Sequence, residues 1–585
     1  MLSLALAAVS LGDPLPSAEL KLVTSELGLH DHFGRTLDVD GDTLVSGSRF
    51  DETCGVGLAG SATIFERQGA QWFETVKLTA SDKDVQDLFG HAVAISGDTV
   101  LVGARNDDHA GGVDAGSAYI FERVNGEWLE QVQLIGSDTA AGDFHGISVA
   151  IEGDTALVGA ASADVWGFAD AGAVYVYQRQ AGVWSQQAKL VAPDPGEGDN
   201  FGWFVAISGE TALIGARYDD LAGAVDAGSA YVFVRDSGAW TPEAKLTAFD
   251  AAAGDQAGKY VELQGDTALV SAPLDDHSVG VQAGSVRVFE RSAGVWTETA
   301  FLSSSDVAPL DEFGHSLALV GDDLIVGCAK NQLDGILLAG SAYRFRRDGS
   351  AWTEVTKYVA PDPVFNQNTG TDVALSGNAV LIGSPHDNID DVIHSGSIYV
   401  WPLEPDCDGN GIADADELAS GAGVDCDGNG VLDACEIASG AALDLDGEGT
   451  PDVCQPLSAD VAALSIGSGG TLAFALNSGA EHAGQLYLLL GSASGTAPGV
   501  PLDGQLLPLN VDDYLIATLT GGSPIQGSTG LLDAGGQATA LLTLAAGQAP
   551  ADLIGLTVHH AYLALDLLTG QVTSASNAIP TALLP

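Results

Sequence analysis

The chain has 585 residues, 46% of them hydrophobic, with 75 glycines, one methionine, and a formal net charge of −58 set by 79 acidic against 21 basic residues. Such an acidic surface repels phosphate backbones and anionic lipid. It argues against nucleic acid as a partner and favours divalent cations and basic or neutral ligands. The glycine load and the scarcity of helix formers point to strands and tight turns.

Residues 1–12 contain a short apolar run, LSLALAAVSL at 2–11, followed by Gly12, Asp13 and Pro14. Ten residues are too few to span a bilayer but match the core of a signal peptide, although no basic residue precedes them. The alternative is a first β-strand. No other segment has the length of a transmembrane helix, so no membrane span is expected.

From residue 18 to 403 the chain repeats itself. Gly34, Gly90, Gly146, Gly202, Gly258, Gly314 and Gly370 follow one another at intervals of 56 residues. A second glycine series runs from Gly60 to Gly396 at the same interval, with an aromatic five residues after each member, from Phe65 to Trp401. A tryptophan series runs from Trp72 to Trp352. The second unit predicts four strands: 90–95, 99–104, 117–123 and 127–134, the last two joined across Asn125-Gly126, a hairpin signal. Four short antiparallel strands per repeat is the logic of a propeller blade. The expected fold is therefore all-β: a seven-bladed β-propeller over 18–403, a calcium-binding segment over 404–456, and a β-sandwich over 457–585. The last unit ends after SIYVWPL (397–403) without a fourth strand, while AELKL (18–22) precedes any complete blade. The N-terminal strand is expected to complete blade seven and hide the open sheet edges.

FGHAVAISGDTVLVGAR (89–105) with AGSAYIF (115–121), and FGWFVAISGETALIGAR (201–217) with AGSAYVF (227–233), resemble the FG-GAP repeat, the blade unit of integrin-type propellers. The resemblance covers about two thirds of the chain. In integrin-type blades a DxDxDG calcium loop joins the first two strands. Here the link is a tight turn such as Ser96-Gly97-Asp98, so blade calcium is not expected.

Residues 406–417, 425–436 and 444–455 read DCDGNGIADADE, DCDGNGVLDACE and DLDGEGTPDVCQ, spaced by 19. The first two fit a twelve-residue calcium loop at every keyed position. Asp406, Asp408, Asn410, the Ile412 carbonyl, Asp414 and Glu417 form one ligand set. Asp425, Asp427, Asn429, the Val431 carbonyl, Asp433 and Glu436 form the next. The third has Asp444, Asp446, Glu448 and Asp452 but Gln455 in the bidentate position, so its site should be weaker or lean on a neighbour. Ca²⁺ is the expected cofactor. The segment resembles thrombospondin type 3 and dockerin-like calcium repeats, and the short ELASGAG link (417–423) favours the former. Of the three connectivities open to its four cysteines, pairing loop position 2 of one unit with position 11 of the next uses all of them, as Cys407–Cys435 and Cys426–Cys454. Cys54 and Cys328 fall in blades one and six, which are not neighbours, and are expected to be free thiols.

Beyond 457, strand candidates at 471–476, 485–491, 514–519, 538–544 and 561–567 suggest an immunoglobulin-like sandwich. His559 and His560 would face opposite ways in a strand, which disfavours metal binding by the pair.

No G-x-S-x-G, H-E-x-x-H or phosphate-binding loop occurs in the sequence. A ligand site is better sought where the repeat breaks its own pattern. After each first-strand glycine stand Arg35, His91, Ile147, Trp203, Lys259, His315 and Thr371. If the first strand is innermost, Arg35, His91, Trp203, Lys259 and His315 ring one mouth of the channel. Three residues on, Asp38 and Glu262 replace the alanine that most units carry. The loop pairs Asp107/Asp108, Asp219/Asp220 and Asp275/Asp276 are candidates for cation binding or for loop capping. The series Asp82, Asp138, Asp194, Asp250, Asp306 and Asp362 reads as turn chemistry between blades. Together these features suggest a secreted or cell-surface calcium-binding adhesion or recognition protein, with an extracellular protein or polysaccharide as ligand. The alternatives are an extracellular polysaccharide lyase or hydrolase acting at the channel mouth, and a structural surface-layer material.

Overall fold

The computed structural model describes residues 20–403, apart from 54, 70, 278, 279 and 378, together with parts of 414–439 and 457–584. The signal-peptide-like segment expected at 1–12 lies outside the described residues. Contacts divide the chain into Met1–Leu403 and Glu404–Pro585.

The first unit contains seven four-stranded antiparallel sheets. In the second sheet, Phe89–Ser96, Thr99–Ala104, Ser117–Val124 and Glu127–Leu134 pair in sequence order, within a residue of the expected bounds. Thr99–Ala104 is buried at every position, which is why it reads as a continuous apolar run rather than an alternating one. Asn125 and Gly126 have φ of 54° and 87°, the left-handed pair that a two-residue hairpin needs to match strand twist. The hairpin ladder slips by one residue at Ile120/Phe121, and the same bulge precedes the aromatic at Ile64/Phe65 and Val176/Tyr177.

The N-terminal strand closes the seventh sheet. Leu20, Lys21 and Leu22 pair with Val400, Tyr399 and Ile398. The Lys21 ammonium lies 2.7 Å from Asp387 and 2.9 Å from Asp362.

Neighbouring sheets meet backbone to backbone. Gly60 bridges Phe89, Gly228 bridges Ala257, Gly340 bridges Thr369, and Gly396 of the seventh sheet bridges Phe33 of the first in the same way. A methyl group added to Gly47 would land on the carbonyl oxygen of Gly90, one on Gly215 on that of Gly258, and one on Gly383 on that of Gly34. The linker aspartates do more than shape turns. Asp82, Asp138, Asp194 and Asp306 accept the hydroxyls of Tyr119, Tyr175, Tyr231 and Tyr343 at 2.7–2.8 Å, each on the third strand of the following sheet. A buried phenol needs an acceptor, and the linker supplies it across the seam.

The loop aspartate pairs hold the loops themselves. Buried Asp107, Asp219 and Asp275 accept the hydroxyls of Ser117, Ser229 and Ser285. Their neighbours Asp108, Asp220 and Asp276 accept the backbone N–H of residues 114, 226 and 282 at 2.7–2.8 Å. Cys328 is a free, buried thiol that donates to the Asp311 carbonyl at 3.3 Å; Cys54 lies outside the described residues.

In the second unit, Leu457–Ala459, Gly470–Asn477, Gln537–Leu544 and Ile525–Gln526 share one sheet. Ala463–Ser465, Ile579–Leu584, Thr557–Leu565, Leu486–Ser492 and Thr529–Leu531 lie in another. Leu472, Phe474 and Leu476 of the first pack with Tyr487, Leu489 and Tyr562 of the second in one core. The strand expected at 514–519 lies outside the described residues. His560 is buried against Phe474, and burial with His559 beside it pushes its imidazole down to about 3, so it is neutral at ordinary pH.

The seam geometry makes a stability prediction. Gly383→Ala forces a methyl into the Gly34 backbone and should cost about 1–3 kcal/mol or more. Gly57→Ala, where the methyl meets open space, should stay within about 0.5 kcal/mol of the native protein. Chemical denaturation of both variants measures the difference.

Candidate functional site at the channel mouth

The first strands of all seven sheets line a cavity of about 360 Å³. Each seam glycine brings the strand in close, and the next residue is the first to reach the mouth. Arg35, His91, Trp203 and His315 stand in the wall as expected, and Ile147 and Thr371 stand there as well. Lys259 does not; its neighbour Tyr260 takes that place, and Lys259 lies near enough to His315 to help disfavour the imidazolium.

Sequence reasoning missed the arginines. Arg49, Arg105 and Arg217 each follow a second strand, at the same repeat position, and stand beside the first-strand residues. Arg49 lines the cavity and donates to His91 Nδ1 at 3.2 Å, which leaves that imidazole neutral with its proton on Nε2. The Arg217 guanidinium stacks on Trp203 at 3.1 Å from the ring centroid and lies 4.3 Å from that of Tyr218. The available signal was the recurrence of Arg at one repeat position in a chain with only 21 cations.

These cations are set apart from the others. On the outer strands Arg123 pairs with Glu66 at 2.8 Å, Arg179 with Glu122 at 2.7 Å and Lys245 with Asp219 at 2.7 Å. Among the described residues Arg35, Arg49, Arg105, Arg217 and Lys259 form no ion pair, and the buried Nε atoms of Arg49, Arg105 and Arg217 have no hydrogen-bond partner. Burial, with Arg35 and Arg105 adding repulsion, pushes the Arg49 guanidinium down to about 9. Burial likewise lowers Arg105, Arg217 and Lys259. Buried donors without partners are uncommon in folded proteins, and that of Arg49 lies in the cavity wall while that of Arg217 belongs to a guanidinium stacked on the wall residue Trp203. The overall charge favours basic or neutral ligands, whereas this mouth has the opposite local sign.

Aromatic rings continue inward. Phe204 and Tyr260 lie 5.4 Å apart, and Tyr260 and His315 5.1 Å apart, by ring centroids. His315 Nδ1 donates to the Thr371 carbonyl at 3.1 Å, and burial pushes its pKa down to about 3. Asp38, Glu262 and Asp372 also line the cavity. Asp38 accepts the backbone N–H of Ile95 in the second sheet at 2.8 Å, and Asp372 that of Leu37 in the first at 2.9 Å, so both link adjacent sheets. Burial first, then mutual repulsion, raises Glu262 to about 8 and Asp372 to about 7, and burial raises Asp38 to about 6.

Of the expected calcium ligands, Asp414, Asp425, Val431, Asp433 and Glu436 are among the described residues; Asp406, Asp408, Asn410, Ile412, Glu417, Asp427, Asn429 and the whole third set lie outside them. Asp433 and Glu436 begin the short helix Asp433–Ser439, three residues apart on one face. Cys407, Cys426 and Cys454 lie outside the described residues, so neither expected disulfide is tested.

The buried carboxyl of Glu262 gives a signed pH dependence. The folded protein holds a proton that the unfolded chain releases between its ordinary 4.5 and about 8, so stability falls as pH rises through that window. Glu262→Gln should raise the melting temperature at pH 8–9 by about 2–4 °C, with the gap closing at pH 4. Scanning calorimetry of both proteins across that range measures it.

Six tandem segments, 72–121, 128–177, 184–233, 240–289, 296–345 and 352–401, match the FG-GAP repeat. Each match starts at the tryptophan of one fourth strand and ends at the third-strand aromatic of the next sheet, so the matched unit straddles a seam. No curated protein matches the chain. Repeated four-stranded antiparallel sheets of the propeller type carry these matches over half the sequence, and the chain belongs to the FG-GAP repeat family.

Proposed function

We propose that this is a secreted or cell-surface recognition protein whose seven sheets form one closed seven-bladed propeller, with the channel mouth binding an acidic polysaccharide. FG-GAP domains commonly serve as adhesion and recognition scaffolds for extracellular ligands, and among the described residues no helix is long and apolar enough to cross a membrane. The single observation behind the ligand class is that, among the described residues, Arg35 and Arg49 stand without ion pairs in the wall of a cavity lined by Trp203 and Tyr260, that Arg217 stacks on Trp203, and that Arg49 and Arg217 carry orphaned Nε donors. Guanidinium groups match carboxylates and sulfates in planar geometry, and aromatic faces suit sugar rings. The cavity volume is at the small end of ligand pockets, suited to a terminal or side-chain sugar rather than a threaded chain.

Binding of polygalacturonate and dextran sulfate, with neutral dextran as control, tests this. Both acidic polymers should bind, and Arg49→Ala with Arg217→Ala should weaken binding at least about tenfold. Binding unchanged by the double variant overturns the site. Binding of poly-L-glutamate but neither polysaccharide assigns the mouth to acidic protein segments.

A second reading, lyase or hydrolase chemistry, is favoured by one arrangement: neutral His315 and protonated Glu262 share the cavity with the cations. Release of unsaturated or reducing sugar ends that is abolished by His315→Ala would establish it.

Residues 404–456 act in this proposal as a calcium-stiffened spacer, braced by Cys407–Cys435 and Cys426–Cys454, before a C-terminal sandwich. The support is the ligand spacing of the two complete loops. Calorimetric titration should find at least two Ca²⁺ sites with dissociation constants of about 10⁻⁴–10⁻³ M. Asp433→Ala should remove one, and an unchanged titration would count against the assignment.

A further inference from the structure

The repeat supplies an internal control for finding a second site. Residues placed by the scaffold alone should recur at intervals of 56, and residues that appear together at one seam need another reason. His30, His32, His386 and His394 meet that condition. They come from opposite ends of the propeller sequence, and no residue at the equivalent positions of the other six seams is histidine.

Ring closure brings them together. The backbone N–H groups of His30 and His32 donate to the carbonyls of Ile393 and His394 at 2.9 and 3.1 Å, and that of His394 donates to Asn388 Oδ1 at 2.8 Å. The His30 and His394 Nδ1 atoms are 3.2 Å apart, and one ring nitrogen from each of His30, His32 and His394 lies within 4.8 Å of the others. The His386 ring stacks on His394 at 4.8 Å and lies 4.7 Å from His32 by centroids. His32 Nδ1 is buried without a hydrogen-bond partner among the described residues.

We propose that His30, His32 and His394, with His386 adjacent, bind a divalent transition-metal ion, Zn²⁺ or its Co²⁺ surrogate, that clasps the closing seam of the propeller. Tetrahedral coordination at about 2.0–2.1 Å puts ligand nitrogens about 3.3 Å apart, close to the His30–His394 spacing. Imidazole nitrogen suits zinc, copper and nickel, whereas calcium and magnesium prefer oxygen. The His32 ring must move inward to complete the set. Arg35 and Arg49 nearby oppose the ion's charge, and the imidazole lone pairs must outweigh them.

The test uses the full chain, stripped with chelator and then held in excess Ca²⁺ so that the acidic loops are filled. Titration with Co²⁺ should give one equivalent with the intense visible bands of tetrahedral nitrogen ligation. Added Zn²⁺ should bleach those bands and raise the melting temperature. The His30→Ala/His394→Ala variant should lose the bands and the thermal shift while its metal-free melting temperature stays near native. His30→Gln, at an exposed ring, serves if the double variant fails to fold, and should weaken Co²⁺ binding at least about tenfold. Co²⁺ spectra or affinities that are the same in native and variant proteins overturn the site, and so does an absence of binding, which would leave the 3.2 Å contact as a histidine–histidine hydrogen bond.

Discussion

The structure depends on the approach of one sheet's backbone to the next. At each seam a glycine on one sheet lies against a carbonyl oxygen of its neighbour, at a distance that leaves no room for a β-carbon. That contact sets how tightly the innermost strands converge, and so the bore of the channel they line. It also explains why the period is kept without insertion. An added residue would move a side chain into a position that only glycine can occupy.

Electrostatics is layered on this frame. Outside, the cations lie against carboxylates of their own or the preceding sheet, as Arg179 does with Asp154 and Glu122. Such half-exposed pairs contribute modestly one by one, but they repeat around the unit. Inside, the order is reversed. At the mouth, arginines face one another and neutral imidazoles, and deeper in the channel carboxyls face one another. Local sign can oppose net sign because screening confines the field of distant charges to roughly 8 Å at physiological salt. A chain of charge −58 can therefore present a cationic opening.

Much of the fold was legible because a period of 56 converts weak local signals into a strong one. The alternation in 90–95, the apolar run at 99–104 and the Asn125-Gly126 turn each mean little alone, yet they recur in register. Closure could also be read, because the fourth strand missing at the C-terminal end has its match at Leu20–Leu22. The site was legible only in part. Arg35, His91, Trp203 and His315 broke the repeat and were found on that basis. Arg49, Arg105 and Arg217 were missed because each looks like a strand-end residue. Only the stacking of Arg217 on Trp203 and the donation from Arg49 to His91 show that second-strand ends share the mouth with first-strand starts.

Sequence by itself determined the all-β repeat, the order of strands within each sheet, the family and the spacing of the acidic loops, since these follow from local periodicity and short-range turn chemistry. Tertiary structure alone decided which polar groups lost their partners. The linker aspartates became acceptors for the next sheet's tyrosines, the loop aspartates were used up by serines, and the mouth arginines were left without a carboxylate among the described residues. It also decided that His30 and His32 would meet His386 and His394 at the seam, although His30 and His394 are 364 residues apart along the chain. Burial and pairing are properties of distances in space, and residues far apart along the chain acquire those distances only when the last sheet meets the first.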